Sequence, residues 1–179
     1  MRRQGFRVFR PPEAGEAIRH IARTSPVYNI RSGLYTLTQL LDNIHQHNYD
    51  VVIFERGIFD AYCWMQFWAD KKQLTPAARK ITQDFLLLDY WSKAIDRVYF
   101  LTCDPQQALE RELRHSLSKQ LPADNLKTVK LYQHGYTKLA KRFSQLKLID
   151  TTKRSSQAVT ELSAGDILAL MATKTKPKR

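Results

Sequence analysis

Glu55 and Arg56 follow directly on the apolar run YDVVIF at 49–54, and Asp60 lies one helical turn further on. In an open parallel sheet, ligands bind beyond the carboxyl ends of the strands, so residues in this place are the first to inspect for chemistry. A carboxylate suits hard Mg²⁺ and an arginine suits phosphate oxygens. The N-terminus of a following helix adds backbone N–H groups aimed at an anion. Together they describe a magnesium and phosphate site with Glu55 as the metal-facing group. The same residues also read as a Glu55–Arg56 ion pair with an aspartate that favours a helix N-terminus electrostatically, and the spacing leaves both readings open. Other constellations are weaker. His45 and His47, two apart, do not share a helix face and have no cysteine nearby, which does not make a zinc site. Cys63 and Cys103 lack the setting of a nucleophile and read as buried, inert thiols.

The elements that position these residues follow from periodicity. Runs at 6–9 (FRVF), 49–54 (YDVVIF), 97–101 (RVYFL) and 146–150 (LKLID) are rich in β-branched and aromatic residues and predict four strands. The consecutive apolar residues Val51, Val52, Ile53 and Phe54 predict a strand covered on both faces. Helical patterns between the strands imply an α/β fold, a parallel sheet with helices on both faces. Ser32 is the expected cap of a helix carrying Leu34, Leu37, Leu40, Leu41 and Ile44. A second helix is expected near 58–70. Thr75 before Pro76 opens a long helix through Phe85, Leu86, Leu88 and Trp91, and Asp104 before Pro105 opens another through Ala108, Leu109 and Leu113. Periodicity lapses between Ser116 and Asn125, where a mobile loop is expected, and resumes from Leu126 to Phe143. Ser155 or Ser156 starts a last helix through Leu170.

The chain has 179 residues with a net charge of +12, 43% apolar and 26% charged, which predicts one soluble domain over 1–172 and a basic disordered tail over 173–179. A core of that size needs no disulfide or metal to fold. No apolar run has the length of a membrane span and no signal-peptide pattern opens the chain; with two cysteines this predicts a cytoplasmic protein without a membrane partner. Much of the charge sits at the ends, on Arg2, Arg3, Arg7 and Arg10 and on Lys174, Lys176, Lys178 and Arg179. No aromatic residue interleaves with the terminal lysines, so no specific nucleic-acid partner is expected.

VVIFERGIFDAYCW resembles the strand-then-acid-Arg motif of the P-loop nucleoside and nucleotide kinases, Glu-Arg-Ser in deoxynucleoside kinases and Asp-Arg-Tyr or Asp-Arg-Phe in thymidylate kinases. RPPEAGEAIRHI is similar to the Arg-Glu-Pro-Gly-Gly segment of thymidylate kinases and the helix after it, with the order of Pro12 and Glu13 changed. VYFLTCDPQQALERELR resembles the fourth-strand region leading into the arginine-bearing lid, and LKLIDTT the last strand. The resemblance spans most of residues 6–170 and implies a P-loop kinase-like three-layer sandwich. It implies Mg²⁺ and ATP as cofactors, and a nucleotide or nucleoside as small-molecule partner. Residue by residue it assigns Glu55 to magnesium, Arg56 to phosphate or substrate positioning and Asp60 to holding that site. Arg111, Arg114 and Lys119 match the lid, whose cations clamp transferred phosphate; as bare sequence they also read as a solvated helix face. Outside the close matches, similarity to the carboxylate after the second strand of deoxynucleoside kinases implies Glu13 as acceptor of the attacking hydroxyl proton. Tyr62 and Trp64, with Phe67 and Trp68, stand where a substrate base could stack, although such a stripe equally reads as core.

The chain departs from the family at one place. A Walker A loop, G-x-x-x-x-G-K-[ST], surrounds phosphates with backbone N–H groups, and none occurs here: the six glycines are dispersed and no Gly-Lys pair exists. In the family that loop and its strand come first, and the strand lies mid-sheet between the third and fourth. The expectation is therefore a kinase-like chain without its N-terminal strand and P-loop, Met1 being internal to a longer reading frame and the given chain inactive. The alternative is a degenerate kinase-fold module that binds or regulates without turnover. The acceptor and the oligomeric state stay open, a homodimer included.

Overall fold

A capping hydroxyl or carboxylate before proline opens three of the helices, and the strands form two parallel pairs. The computed structural model describes residues 5–46, 48–115 and 124–174. They fall into two compact units, Met1–Ile95 and Asp96–Arg179. The first holds β1 (Val8–Phe9), α1 (Ala14–Ala17), α2 (Pro26–Gln46), β2 (Val51–Val52), α3 (Ile58–Asp70), α4 (Pro76–Leu86) and α5 (Asp89–Ser92). The second holds β3 (Val98–Thr102), α6 (Pro105–His115), α7 (Asp124–Arg142), β4 (Leu146–Asp150) and α8 (Ser156–Lys174). The chain is therefore helix-rich, with two small parallel sheets.

In the first unit β1 pairs parallel with β2, Val8 opposite Val51 and Phe9 opposite Val52. Asp50 fixes that register by accepting from the Arg7 amide at 2.7 Å and from its guanidinium at 3.0 Å. Helices α2, α3 and α4 carry the core, with Tyr28, Leu37, Leu40, Ile58, Phe59, Met65, Phe67, Trp68 and Leu86 buried. Gly33 lets α2 approach α3: a Cβ there would stand 2.8 Å from the Ala61 Cβ and 3.2 Å from Leu86 Cδ2. A buried polar tie inside this packing is the Trp68 indole N–H, which donates to Asn29 Oδ1 at 2.8 Å. Buried and paired, it costs little and fixes the helix register.

In the second unit β3 and β4 pair in register from Val98–Leu146 to Thr102–Asp150. Phe100 stacks on Tyr136 of α7 with centroids 3.8 Å apart, and Leu139, Leu146 and Ile149 complete the core. Helix α8 has no buried residue of its own. Its tie to the sheet is polar: Asp166 accepts from the Tyr99 hydroxyl at 2.7 Å and pairs with Arg97 at 2.8 Å and with Lys147.

All four expected strands and the 58–70 helix form, but several details differ. Ser32 is not a cap; α2 begins six residues earlier, where Ser25 precedes Pro26 and its hydroxyl accepts from the Val27 amide at 3.2 Å. This is the same hydroxyl-proline signature that opens α4, where Thr75 Oγ1 accepts from the Ala78 amide at 3.1 Å. At α6 a carboxylate takes the hydroxyl's place before Pro105, Asp104 Oδ1 accepting from the Gln106 and Gln107 amides. The long helix expected from Pro76 through Trp91 breaks after Leu86, because Leu88 is extended and the Trp91 indole N–H donates to the Leu86 carbonyl at 3.1 Å, in place of a helical amide. The strand at 51–54 is two residues long and is not covered on both faces: Ile53 is 42% exposed. The polar lapse at Ser116–Asn125, with Lys119, lies mostly outside the described residues, as do 175–179 of the basic tail.

Candidate active site

The carboxyl ends of β1 and β2 bring four charges together. Register places Arg10 just past Phe9 and Glu55 three residues past Val52, and the Ile53 amide donates to the Phe9 carbonyl at 2.9 Å, which keeps the two strand ends side by side. The Arg10 guanidinium donates to Glu55, and Arg56 Nε stands 3.7 Å from Glu13 Oε1. Signs alternate across two loops, and all four side chains keep solvent access, from 28% at Glu13 to 61% at Arg10. Arg56 holds φ at +64°, a left-handed conformation that costs a non-glycine residue about 1 kcal/mol and turns the chain sharply from β2 into α3. Asp60 follows in the first turn of α3.

Of the residues expected from sequence, Glu13, Glu55 and Arg56 thus meet at one place. The expected Glu55–Arg56 pairing does not describe it, since Glu55 is held by Arg10 and Arg56 by Glu13. Arg10, which opens the RPPEAGEAIRHI segment, is the first residue after the run FRVF, as Glu55 is after YDVVIF. Arg23 and Tyr28 join the site as well. Around Gly15, the Tyr28 hydroxyl, Arg23 Nη2 and Glu13 Oε1 lie 3.2, 3.4 and 3.5 Å from where a Cβ would stand, a space a larger residue would fill. No local pattern marks those two, because only the turn between α1 and α2 returns them to Glu13.

Further along α3, the Tyr62 carbonyl accepts from Gln83 at 3.0 Å, and Trp64 packs in an aromatic cluster with Phe67 and Trp68 at 4.9 and 6.2 Å. Cys63 is buried, and desolvation pushes its thiol far above the ordinary range, so it is not a nucleophile.

Arg111 belongs to the second unit, at the carboxyl ends of β3 and β4. Its guanidinium donates to the Thr151 carbonyl at 2.9 Å, the Thr152 carbonyl at 3.1 Å and the Thr151 hydroxyl at 3.3 Å. The same turn is closed by the Thr151 amide donating to the Thr102 carbonyl at 2.7 Å and by the Asp104 amide donating to Thr152 Oγ1 at 2.9 Å. Asp150 accepts from the Thr152 hydroxyl and amide, which hold its carboxyl below the ordinary value of 3.8. Arg114 lies in α6.

Among the described residues no group of three or more His, Cys, Asp or Glu side chains could hold a metal. Glu55 is a single exposed carboxylate. Such a donor set does not make a resident metal centre, but it fits a Mg²⁺ that arrives with phosphate oxygens and needs only one or two carboxylates from the protein. Also among the described residues, no helix is long and apolar enough to cross a membrane.

No protein-family model matches the chain, and no curated protein matches its sequence. Solved structures do match, and they define the class: the fold is nucleoside kinase-like. The chain is similar to deoxyadenosine kinase from M. mycoides with bound dCTP, at a TM-score of 0.58 and 15% identity, over 94% of this chain and 88% of that one. It also matches the M. mycoides enzyme with products dCMP and a flexible dCDP bound, at a TM-score of 0.48 and 14% identity, over 90% and 97%.

Proposed function

We propose that the protein is a nucleoside or nucleotide kinase-like phosphotransferase acting with ATP and Mg²⁺ on a small nucleoside or nucleotide acceptor. The observation that carries this reading is the set of alternating charges at the carboxyl ends of β1 and β2 in a nucleoside kinase-like fold. In this reading Glu55 faces Mg²⁺, Arg56 positions phosphate or substrate, Asp60 supports the pair, and Glu13 accepts the proton of the attacking hydroxyl. Tyr62 and Trp64 stand toward the acceptor base, and Arg111 and Arg114 serve the lid. The neighbour with bound dCTP supports a nucleotide partner. Phosphoryl transfer of this kind is positioning plus charge stabilisation, which is what carboxylates and guanidiniums at strand ends supply.

The proposal includes a three-layer sandwich whose central strand and P-loop lie outside these 179 residues. The division of the strands into two separate parallel pairs supports it, since the family sheet places its first strand between those pairs. The exposure of strand residues also supports it: Leu101 in β3 is 55% and Leu148 in β4 40% exposed, although parallel strands are ordinarily buried on both faces. The absence of any G-x-x-x-x-G-K-[ST] in the sequence favours the second reading for the chain as given, a kinase-fold module without turnover.

The test is Mg²⁺-dependent ATP binding by calorimetry, on the 179-residue chain and on a form extended by the in-frame codons upstream of Met1. The enzyme reading expects affinity in the extended form; its absence there leaves the module. In a form that turns over, Glu55→Gln lowers kcat by about 100-fold or more while the melting temperature stays. An unchanged rate removes Glu55 from the metal.

A further inference from the structure

We propose that helices α4 and α5 form a self-association surface, on which two copies of this chain pair about a two-fold axis with their α4 helices antiparallel. The inference is independent of the chemistry read at the strand ends.

One face of α4 is committed to the core. Leu86 is buried, and the side chains of Arg79 and Gln83 donate to Gln66 and to the Tyr62 carbonyl of α3. Ile81 and Phe85, one turn apart, stand on the other face, where Ile81 is 70% exposed. Phe85 continues the apolar surface onto α5: its ring meets Trp91 edge-on at 5.0 Å, and Trp91 meets Tyr90 at 6.4 Å. Tyr90 is 85% exposed, and Leu88 between the two helices is exposed as well. Single exposed apolar side chains are ordinary, but a contiguous set with three aromatic rings marks an interaction surface. This one is built before a partner arrives. The Trp91 indole N–H donates to the Leu86 carbonyl, and its neighbours Leu87 and Ser92 are buried. Rings already held lose little freedom on binding, which removes part of the cost of association.

Charge selects the occupant. The chain carries a net +12, so most of its surface repels a second copy. Beside these apolar residues the charges balance: Lys80 and Asp84 along α4, Asp89 and Lys93 along α5, each pair bridged at a spacing of four residues. An acidic partner would be drawn to the cationic remainder of the chain, whereas a balanced face suits a second copy of itself. A two-fold axis near residues 82 and 83 sets Ile81 of one copy against Phe85 of the other, and Lys80 against Asp84, because an antiparallel reversal exchanges the two positions. Bridges within each copy thus exchange for bridges between copies, opposite signs facing at both ends. Helix α4 has 11 residues and is about 16 Å long. A contact of that length, with α5, falls short of the roughly 800 Å² per partner of a standard interface, so the pairing is reversible and depends on concentration.

The test is sedimentation equilibrium of the full chain, where monomer is expected at about 1 μM and dimer at about 300 μM. A chain that stays monomeric throughout, or that builds open-ended assemblies, overturns the proposal. Ile81→Glu is expected to weaken dimerisation about 10-fold or more with the melting temperature unchanged, since the side chain lies outside the core. Association undiminished in that variant places the contact elsewhere and overturns the proposal. Lys80→Glu and Asp84→Lys each set like charges against one another, and each alone is expected to pair about fivefold more weakly. An equimolar mixture of the two is expected to regain the unmutated affinity, one copy supplying both anions and the other both cations. A mixture no tighter than the single variants overturns the two-fold arrangement. Loss of helix stability in a variant, or docking of an unlike partner, produces no such rescue. None of these readouts involves ATP, so failure here is distinct from failure of the kinase reading.

Discussion

The two units end their parallel strand pairs in opposite ways. At β1 and β2 the chain places four solvent-accessible charges, Arg10 against Glu55 and Arg56 against Glu13, in ion pairs that water or a ligand can replace. At β3 and β4 the groups are tied to backbone: Arg111 spends its donors on two carbonyls and a hydroxyl, and Thr151 and Thr152 return bonds to Thr102, Asp104 and Asp150. Asp166, away from the strand ends, serves three donors at once. The same topological position is thus open to partner exchange in one unit and closed by its own hydrogen bonds in the other. Exposed pairs contribute little to stability and are free for function, whereas saturated networks hold the fold.

The comparison breaks most easily at Asp166. Because α8 buries no residue fully, Asp166→Ala is expected to lower stability by about 2 kcal/mol, roughly 4–8 °C in melting temperature, since Arg97 and Lys147 lose their carboxylate and Tyr99 keeps only the longer bond to the Ser163 carbonyl. A shift below about 2 °C in calorimetry would make this tie equivalent to a surface pair. Next, Arg111→Ala is expected to cost about 1.5 kcal/mol in a denaturant titration, and Arg111→Lys most of that, since an ammonium cannot span the three acceptors. If both variants melt like the unmutated chain, the bonds to Thr151 and Thr152 do not hold the fold and Arg111 belongs with the exchangeable charges.

The third prediction is a pH dependence. Hydrogen bonds from Lys147 and Tyr99 hold the Asp166 carboxyl below its ordinary 3.8, and Asp50 and Asp150 shift the same way through Arg7 and Thr152. A depressed folded pKa means the unfolded chain takes up the proton first as pH falls. The contribution is therefore complete above about pH 5 and is lost as pH drops through the folded values. Melting temperature should be level from pH 7 to about 5 and fall below about 4, less steeply in Asp166→Asn. The smallest effects belong to the other side of the comparison: Arg10→Gln and Glu55→Gln should each change stability by no more than about 0.5 kcal/mol. A larger loss in thermal unfolding would move that cluster from function to scaffold.

Much of this was legible in the sequence because the signals are local. Four apolar runs became four strands, and Thr75–Pro76, Asp104–Pro105 and Ser155 mark helix starts because a hydroxyl or carboxylate satisfies amides that the first turn leaves free. Ser25–Pro26 carries the same signal, whereas Ser32 lies inside the helix. At the site, Glu55 and Arg56 stood out because they follow a strand. Their true partners, Arg10 and Glu13, are more than forty residues away in sequence, beyond any local spacing.

What the sequence alone determined is therefore the element order, most helix starts, and the presence of carboxylates and guanidiniums after strands, all set by neighbours within a turn or two. Tertiary structure decided which charge meets which: a parallel register joins Arg10 to Glu55, and the turn at Arg56 carries its guanidinium toward Glu13. It also decided that Arg111 bonds to carbonyls. Ion pairs across parallel strands depend on register and backbone direction, which exist only once distant segments have packed.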